Sequence, residues 1–312
     1  MKDSLRIIKA FAYDLYRYWK HSGVRRKYTE EPSRGALLTK YYHMIEKGLS
    51  LPVPRPGFGQ DAVRQLCNLV SASLKDGTNS YEVALAVNAI EGYRVFNEEC
   101  GISVPTFVLD TLHLALRKGV TPSGKPVRVA QPIAISPEDS LDFIVSRSSV
   151  RNFSEQPVPD SALLNAARAA QSAPCVCNRQ AGRIHFIKDE ITRKALLGLQ
   201  NGNRGFGSTA PVLAIISIDL SEFLEANERY QCWIDGGMFA QSFLLGIHGQ
   251  GYGACPLNWS APVARDRALR RLGIVPVEEQ ILMLVAIGSL NEGLSVASSH
   301  RRSLENITSW KH

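Results

Sequence analysis

The chain has 312 residues, 45% of them apolar and 21% charged, which is long enough to bury a core and too ordinary in balance for a disordered or fibrous protein. It has no uncharged apolar run of about 18 residues, the length a spanning helix requires. Nor does it open with an apolar block and a small-residue cleavage site, so a cytoplasmic protein is expected. The net charge is +7, and residues 1–40 hold ten Lys and Arg against four Asp and Glu. No zinc-finger spacing or basic leucine-zipper pattern accompanies that surplus, so nucleic acid is not an expected partner.

Residues 4–19 set Leu5, Ile8, Phe11, Ala12, Leu15, Tyr18 and Trp19 at spacings of three and four, with Arg6, Lys9, Arg17 and Lys20 between them. This predicts a basic amphipathic helix. Its apolar face has two destinations open to it. One is the body of the protein or a dimer partner; the other is an anionic membrane, giving peripheral contact through residues 4–20 at the inner face. Further helices are predicted over 34–47, 61–74, 81–99 and 105–118. Residues 119–137, with Pro122, Gly124, Pro126, Pro132 and Pro137, read as a loop. That loop separates a helical N-terminal extension, residues 1–130, from a second domain, residues 137–312.

In that second part, Ser136, Pro137, Glu138 and Asp139 combine a cap, a first-turn proline and an acidic first turn. A second helix is expected from Asp160 to Gln171. Strands are predicted over 184–187, 212–218 and 281–287, and the last two are nearly all apolar, as when helices cover both faces of a sheet. Residues 230–249 form a long helix whose Gly236, Gly237 and Ala240 permit close approach by a neighbour. A shorter helix over 265–272 ends at Gly273.

Chemistry concentrates in three segments. Arg147 and Arg151 stand four residues apart with Ser148 and Ser149 between them, a set of donors that can bracket a phosphate or form a plain solvent-facing turn. Residues 171–180 leave a helix through Ser172, Ala173 and Pro174 and then offer Asn178, Arg179 and Gln180. Such donors suit the polar edge of a planar ring or the backbone of their own loop. Residues 249–259 carry three alternating glycines, Gly249, Gly251 and Gly253, before Ala254, and could cover one face of a ring. His300, Arg301 and Arg302 add late donors. Cys175 and Cys177 lack the Cys-x-x-Cys spacing of a metal pair and read best as thiols packed beside a ligand pocket. No Gly-x-Ser-x-Gly elbow, Walker loop or His-Glu-x-x-His pair is present, so neither a catalytic triad nor a metal centre is expected.

In this order the segments resemble the nitroreductase family of flavoproteins. The stretch from Arg147 to Phe153 is similar to the signature whose Arg and Ser side chains hold the phosphate of flavin mononucleotide (FMN). Ser172, Ala173 and Pro174, followed by Asn178 and Gln180, resemble the turn that lies along the flavin, and Gly253 and Ala254 fall in the glycine-rich segment beyond the long helix. Arg301 fits the second phosphate-binding arginine. The resemblance implies an α+β fold with a mixed or antiparallel sheet flanked by helices, and a homodimer with two flavin sites at the subunit interface. It also implies electron transfer from a reduced nicotinamide donor, NADH or NADPH, to a quinone, nitroaromatic or similar small acceptor. Cys175, Cys177, Ala181 and Gly182 depart from the family pattern, so the acceptor does not transfer. The stretch from Tyr42 to Gly59 is similar to an extension in nitroreductase-like proteins of bacterial surface polysaccharide synthesis. That leaves a second reading open, a flavin-binding or cofactor-free accessory protein in envelope polysaccharide assembly.

Overall fold

A computed structural model describes residues 2–25 and 33–311. The N-terminal part is helical: α1 (Lys2–His21), α2 (Ser33–Leu49), α3 (Gln60–Lys75), α4 (Tyr81–Glu99) and α5 (Thr106–Arg117). Helices α2 to α5 enclose a core of their own in which Leu38, Tyr42, Leu66, Val70, Ile90 and Val108 are buried. The chain beyond α5 has no regular element until residue 137 and is laid over α4, where the Ser123 amide donates to Asn88 Oδ1 at 2.7 Å.

Helix α1 meets the body by the face opposite its apolar one. Its polar face docks on the body: Tyr13 Oη donates to Asp266 at 2.7 Å, and Arg17 donates to the Val277 and Glu279 carbonyls at 3.0 and 2.8 Å. Leu5, Ile8, Phe11 and Leu15 are left exposed. Arg17 is 4% exposed, and a buried guanidinium needs such carbonyl acceptors, which fixes the orientation.

The remainder follows as α6 (Pro137–Ser146), α7 (Asp160–Gln171), β1 (Gly182–Ile187), α8 (Glu190–Leu199), β2 (Val212–Asp219), α9 (Gln231–Gly249), β3 (Gly253–Asn258), α10 (Val263–Arg270) and β4 (Glu279–Gly288). Ser136 caps α6 by accepting from the Asp139 amide, with Pro137 in the first turn. The strands form one sheet in the order β1-β2-β4-β3, and every pair is antiparallel. Along β2 and β4 alternate residues serve opposite faces. Leu213, Ile215, Leu284 and Ala286 join the core beneath α8 and α10, while Ala214, Ile216, Val285 and Ile287 join the core beneath α7 and α9. This explains their unbroken apolar sequences.

Helices α7 and α9 cross closely. A Cβ at Gly246 would lie 2.7 Å from Ala166 Cα and 3.0 Å from its carbonyl oxygen, so glycine is what admits the α7 backbone there.

Two elements differ from the sequence reading. The glycine-rich segment was given no strand, yet Gly253–Asn258 is β3, whose outer side is paired, among the described residues, only at Ala254, so Pro256 is accommodated there. Helix α8 was not expected, although Asp189 caps it by accepting from the Thr192 amide at 2.7 Å.

Candidate functional site

The segment after α6 runs extended along the free side of β3. The Val150 amide donates to the Ala254 carbonyl at 3.0 Å, and the Ser154 amide donates to the Ser289 carbonyl at 2.9 Å. Val150 and Phe153 are buried, pinning the segment from below. Gly253 makes room for it, since a Cβ there would sit 2.8 Å from Val150 Cγ1. Arg147 and Ser148 thereby line a cavity of about 220 Å³ with His248, Gly251, Tyr252 and Ala254. Arg147 is half-buried, and its guanidinium has no hydrogen-bond acceptor among the described residues. A half-buried guanidinium with unused donors can take an anion as its acceptor. Ser149 pairs through its backbone with Ala254. Arg151 takes another direction, with its guanidinium 6.0 Å above the Phe206 ring.

His248 completes the cavity wall. Its Nε2 lies 2.8 Å from Ser146 Oγ, and its ring stacks on Phe143 with centroids 5.4 Å apart. Burial lowers its pKa, and the neighbouring Arg147 charge lowers it further. The sequence reading gave His248 no role. Its position late on α9, opposite the end of α6, becomes visible only when the two helices meet.

The second segment is built around a strained turn. Ser172 ends α7 with its hydroxyl donating to the Ala169 carbonyl at 2.8 Å. Ala173, Pro174, Cys175 and Gln180 then line a larger cavity of about 620 Å³, closed by α7, β1 and the first half of α9. Cys177, Asn178 and Gln180 all have positive φ, at 50°, 54° and 51°. Left-handed backbone at non-glycine residues costs of order 1–3 kcal/mol each and persists only where surroundings enforce it.

The enforcing groups come from α9 and the turn before it. Buried Asp235 accepts from the Val176 amide at 3.1 Å and from Gln231 Nε2 at 2.7 Å. Arg179 Nη1 donates to Glu228 Oε2 at 3.1 Å while Nη2 donates to Oε1. For Arg179 the sequence left open a ring edge or the backbone of its own loop, and Nε does donate to the Val176 carbonyl at 3.4 Å. Arg179 is 4% exposed and turned inward over Phe223, because a buried guanidinium needs its carboxylate. Asn178 keeps a half-buried side-chain amide with no hydrogen bond among the described residues, while its carbonyl accepts from Gln180 Nε2 at 3.3 Å. Cys175 accepts from the Gln180 amide at 3.3 Å, and burial raises its thiol pKa. Neither Asp235 nor Glu228 was singled out by sequence, although an acidic residue within an apolar helix is itself a signal of a buried partner.

The two cavities sit at opposite ends of α9. The larger contacts Asp235 and Phe239, the smaller Leu244 and His248, and no residue lines both. Thirteen residues of helix separate Asp235 from His248, about 20 Å at 1.5 Å per residue. Arg301 lines neither cavity; it is exposed in the C-terminal tail and donates to the Ser299 carbonyl at 2.9 Å. On a single chain the predicted residues therefore fall into three groups.

An antiparallel four-stranded sheet between two helical layers, with Arg147 and Ser148 beside its β3 edge and a positive-φ turn at Cys177, Asn178 and Gln180, defines an α+β protein. Residues 144–203 and 192–289 match the sequence model of the nitroreductase family. This part of the chain belongs to the nitroreductase family, and α1 to α5 lie outside the matched residues. An NADH dehydrogenase of Thermus thermophilus is 27% identical over 205 residues, covering 55% of this chain and 96% of that protein. A nitroreductase-like protein of Streptococcus mutans shares the fold at 16% identity and a TM-score of 0.50, over 57% of this chain and 100% of the other. A nitroreductase-type structure in complex with FMN from Desulfovibrio desulfuricans aligns at 22% identity and a TM-score of 0.48, over 57% and 99% of the two chains.

Proposed function

We propose that the protein is an FMN-dependent oxidoreductase that takes electrons from a reduced nicotinamide, NADH or NADPH, and passes them to a quinone, nitroaromatic or similar electron-poor acceptor. The observation that carries this reading is the half-buried Arg147 guanidinium, lining a cavity without a hydrogen-bond acceptor of its own. The names of the similar proteins, NADH dehydrogenase and nitroreductase, support the same class.

The residues present fit the cofactor. Arg147 and Ser148 would hold the phosphate, with Ser149 and Arg151 on the same extended segment and Gly253 and Ala254 forming the strand edge behind it. The free Asn178 amide, beside Gln180 and the Ser172-Ala173-Pro174 turn, would meet the polar edge of the ring. When bound, FMN supplies a two-electron carrier. The protein's part is to grip the anionic end, to orient the ring by a fixed amide and to shield it with the apolar walls at Ile184, Phe186 and Phe239.

A homodimer reconciles the separated cavities. A two-fold axis near the middle of α9 would bring the phosphate cavity of one chain against the Asn178 turn of its partner, and the same pairing could place Arg301 near a phosphate. Exposed Gly237, with nothing within 4 Å of the position a Cβ would take, is compatible with close approach there.

The test is anaerobic mixing of the FMN-loaded protein with NADH or NADPH. Loss of the flavin absorbance near saturating donor, and its return on adding a quinone, is the expected result. Flavin that binds but is never reduced by either donor would leave a flavin-binding accessory protein instead.

A further inference from the structure

We propose that the exposed apolar face of α1, together with the start of α9, is an interface with a second copy of this chain. Leu5, Ile8, Phe11 and Leu15 on α1, with Trp233 and Ile234 on α9, are 46–69% exposed. Large side chains at such exposure leave on the order of 100 Å² each uncovered. With Ile7, Trp19 and Tyr230 at their rim, the patch reaches about 900 Å², above the few hundred Å² typical of monomers and close to the roughly 800 Å² per partner of a stable interface.

The face cannot turn inward, because Tyr13 and Arg17 tie the opposite side of α1 to the body through hydrogen bonds of 2.7–3.2 Å. The surface is also not a flat amphipathic face. It is a groove of about 540 Å³ between α1 and α9, with the Asp14 carboxyl among its lining groups and Arg229 beside Tyr230. Lipid chains would leave those polar groups without partners, whereas a protein surface can bond to them. The groove is continuous with the α9 helix on which the shared flavin sites depend. It therefore extends the two-chain assembly proposed above to include a helix outside the residues matched by the nitroreductase family.

The test uses the full chain and the double variant Phe11→Gln, Leu15→Gln, whose side chains take no part in holding α1 to the body. Self-association is followed by sedimentation velocity over a dilution series. Hydroxyl-radical footprinting of Phe11 and Trp233 is done on assembled wild type, and co-sedimentation uses vesicles of phosphatidylcholine and phosphatidylserine. The expected results are Phe11 and Trp233 protected in the assembled protein, a dissociation constant raised at least tenfold in the variant, and no pelleting with vesicles. Full-rate oxidation of Phe11 and Trp233 in assembled protein, a monomeric wild type, or vesicle binding abolished by the variant would each overturn the interface. Flavin content, measured on the same samples at high concentration, reads the shared sites separately, so the flavin assignment and the α1 interface can fail independently.

Discussion

Replacing Arg179 by Met should loosen the turn on which the ring-facing amide depends. Its side chain is 1% exposed against 17% for that of Glu228, and the substitution leaves a partly buried carboxylate without its cation. Breaking a buried pair costs about 3–5 kcal/mol. The lower end applies here, because Glu228 retains some solvent and still accepts from the Leu224 and Glu225 amides at 2.7 and 3.1 Å. At about 2–4 °C per kcal/mol for a domain of roughly this size, the thermal midpoint should fall by about 6–12 °C. Flavin retention should fall with it, since Cys177, Asn178 and Gln180 would relax from positive φ. Burial alone would raise the Glu228 pKa, but the Arg179 hydrogen bond and charge and the two amides outweigh it, so the net shift is downward from 4.5. A depressed carboxylate contributes its stability above the unfolded value and loses it as pH falls through the folded one. The difference between wild type and variant should therefore be constant at neutral pH and close progressively below about pH 4.5. Differential scanning calorimetry with flavin absorbance measures both effects. A midpoint within 2 °C of wild type, with undiminished flavin, would refute the claim that this pair holds the turn.

Burial, reinforced by Asp219, pushes the Glu222 carboxyl up to about 7, and Arg183 offsets this only in part because it lies nearer Asp219, at 3.3 Å against 3.9 Å. The folded state then holds a proton that the unfolded state releases, so stability should decline as pH rises from about 4.5 to 7. Glu222→Gln should flatten that slope in urea titrations taken across the range. Gly246→Val should cost about 1–3 kcal/mol by forcing α7 and α9 apart, seen as a lower denaturation midpoint with an unchanged m-value. Cys175, whose thiol burial holds above its ordinary pKa, should alkylate with iodoacetamide more slowly than exposed Cys100, and bound FMN should slow it further, as followed by peptide mass spectrometry.

The parts of the fold readable from sequence were those with local causes. Strands β2 and β4 announce themselves because both faces are covered, and α6 because Ser136 and Pro137 set its start. Strand β3 was hidden behind Gly253 and Pro256, whose local preference for a turn is overridden by pairing with β4 along its whole length. Helix α1 was legible as amphipathic, but its orientation was not. The residues that choose its polar face for docking, Asp266, Val277 and Glu279, lie about 250 positions away. The same distance effect separates Asn178, Gln180 and Arg179. All three read as donors to a ring or to their own loop, yet Arg179 meets Glu228, 49 residues on, while Asn178 keeps a free amide.

The central claim, a cation poised for the phosphate of FMN, is tested most directly by titrating flavin-depleted protein with FMN and comparing wild type with Arg147→Ala by flavin fluorescence. Loss of a charge-assisted hydrogen bond of about 1.5–3 kcal/mol predicts affinity weaker by roughly 10- to 100-fold in the variant. Riboflavin, which lacks the phosphate, should bind both proteins with similar affinity. Equal FMN affinity in wild type and variant, or a folded wild type that takes up no FMN, would contradict the account.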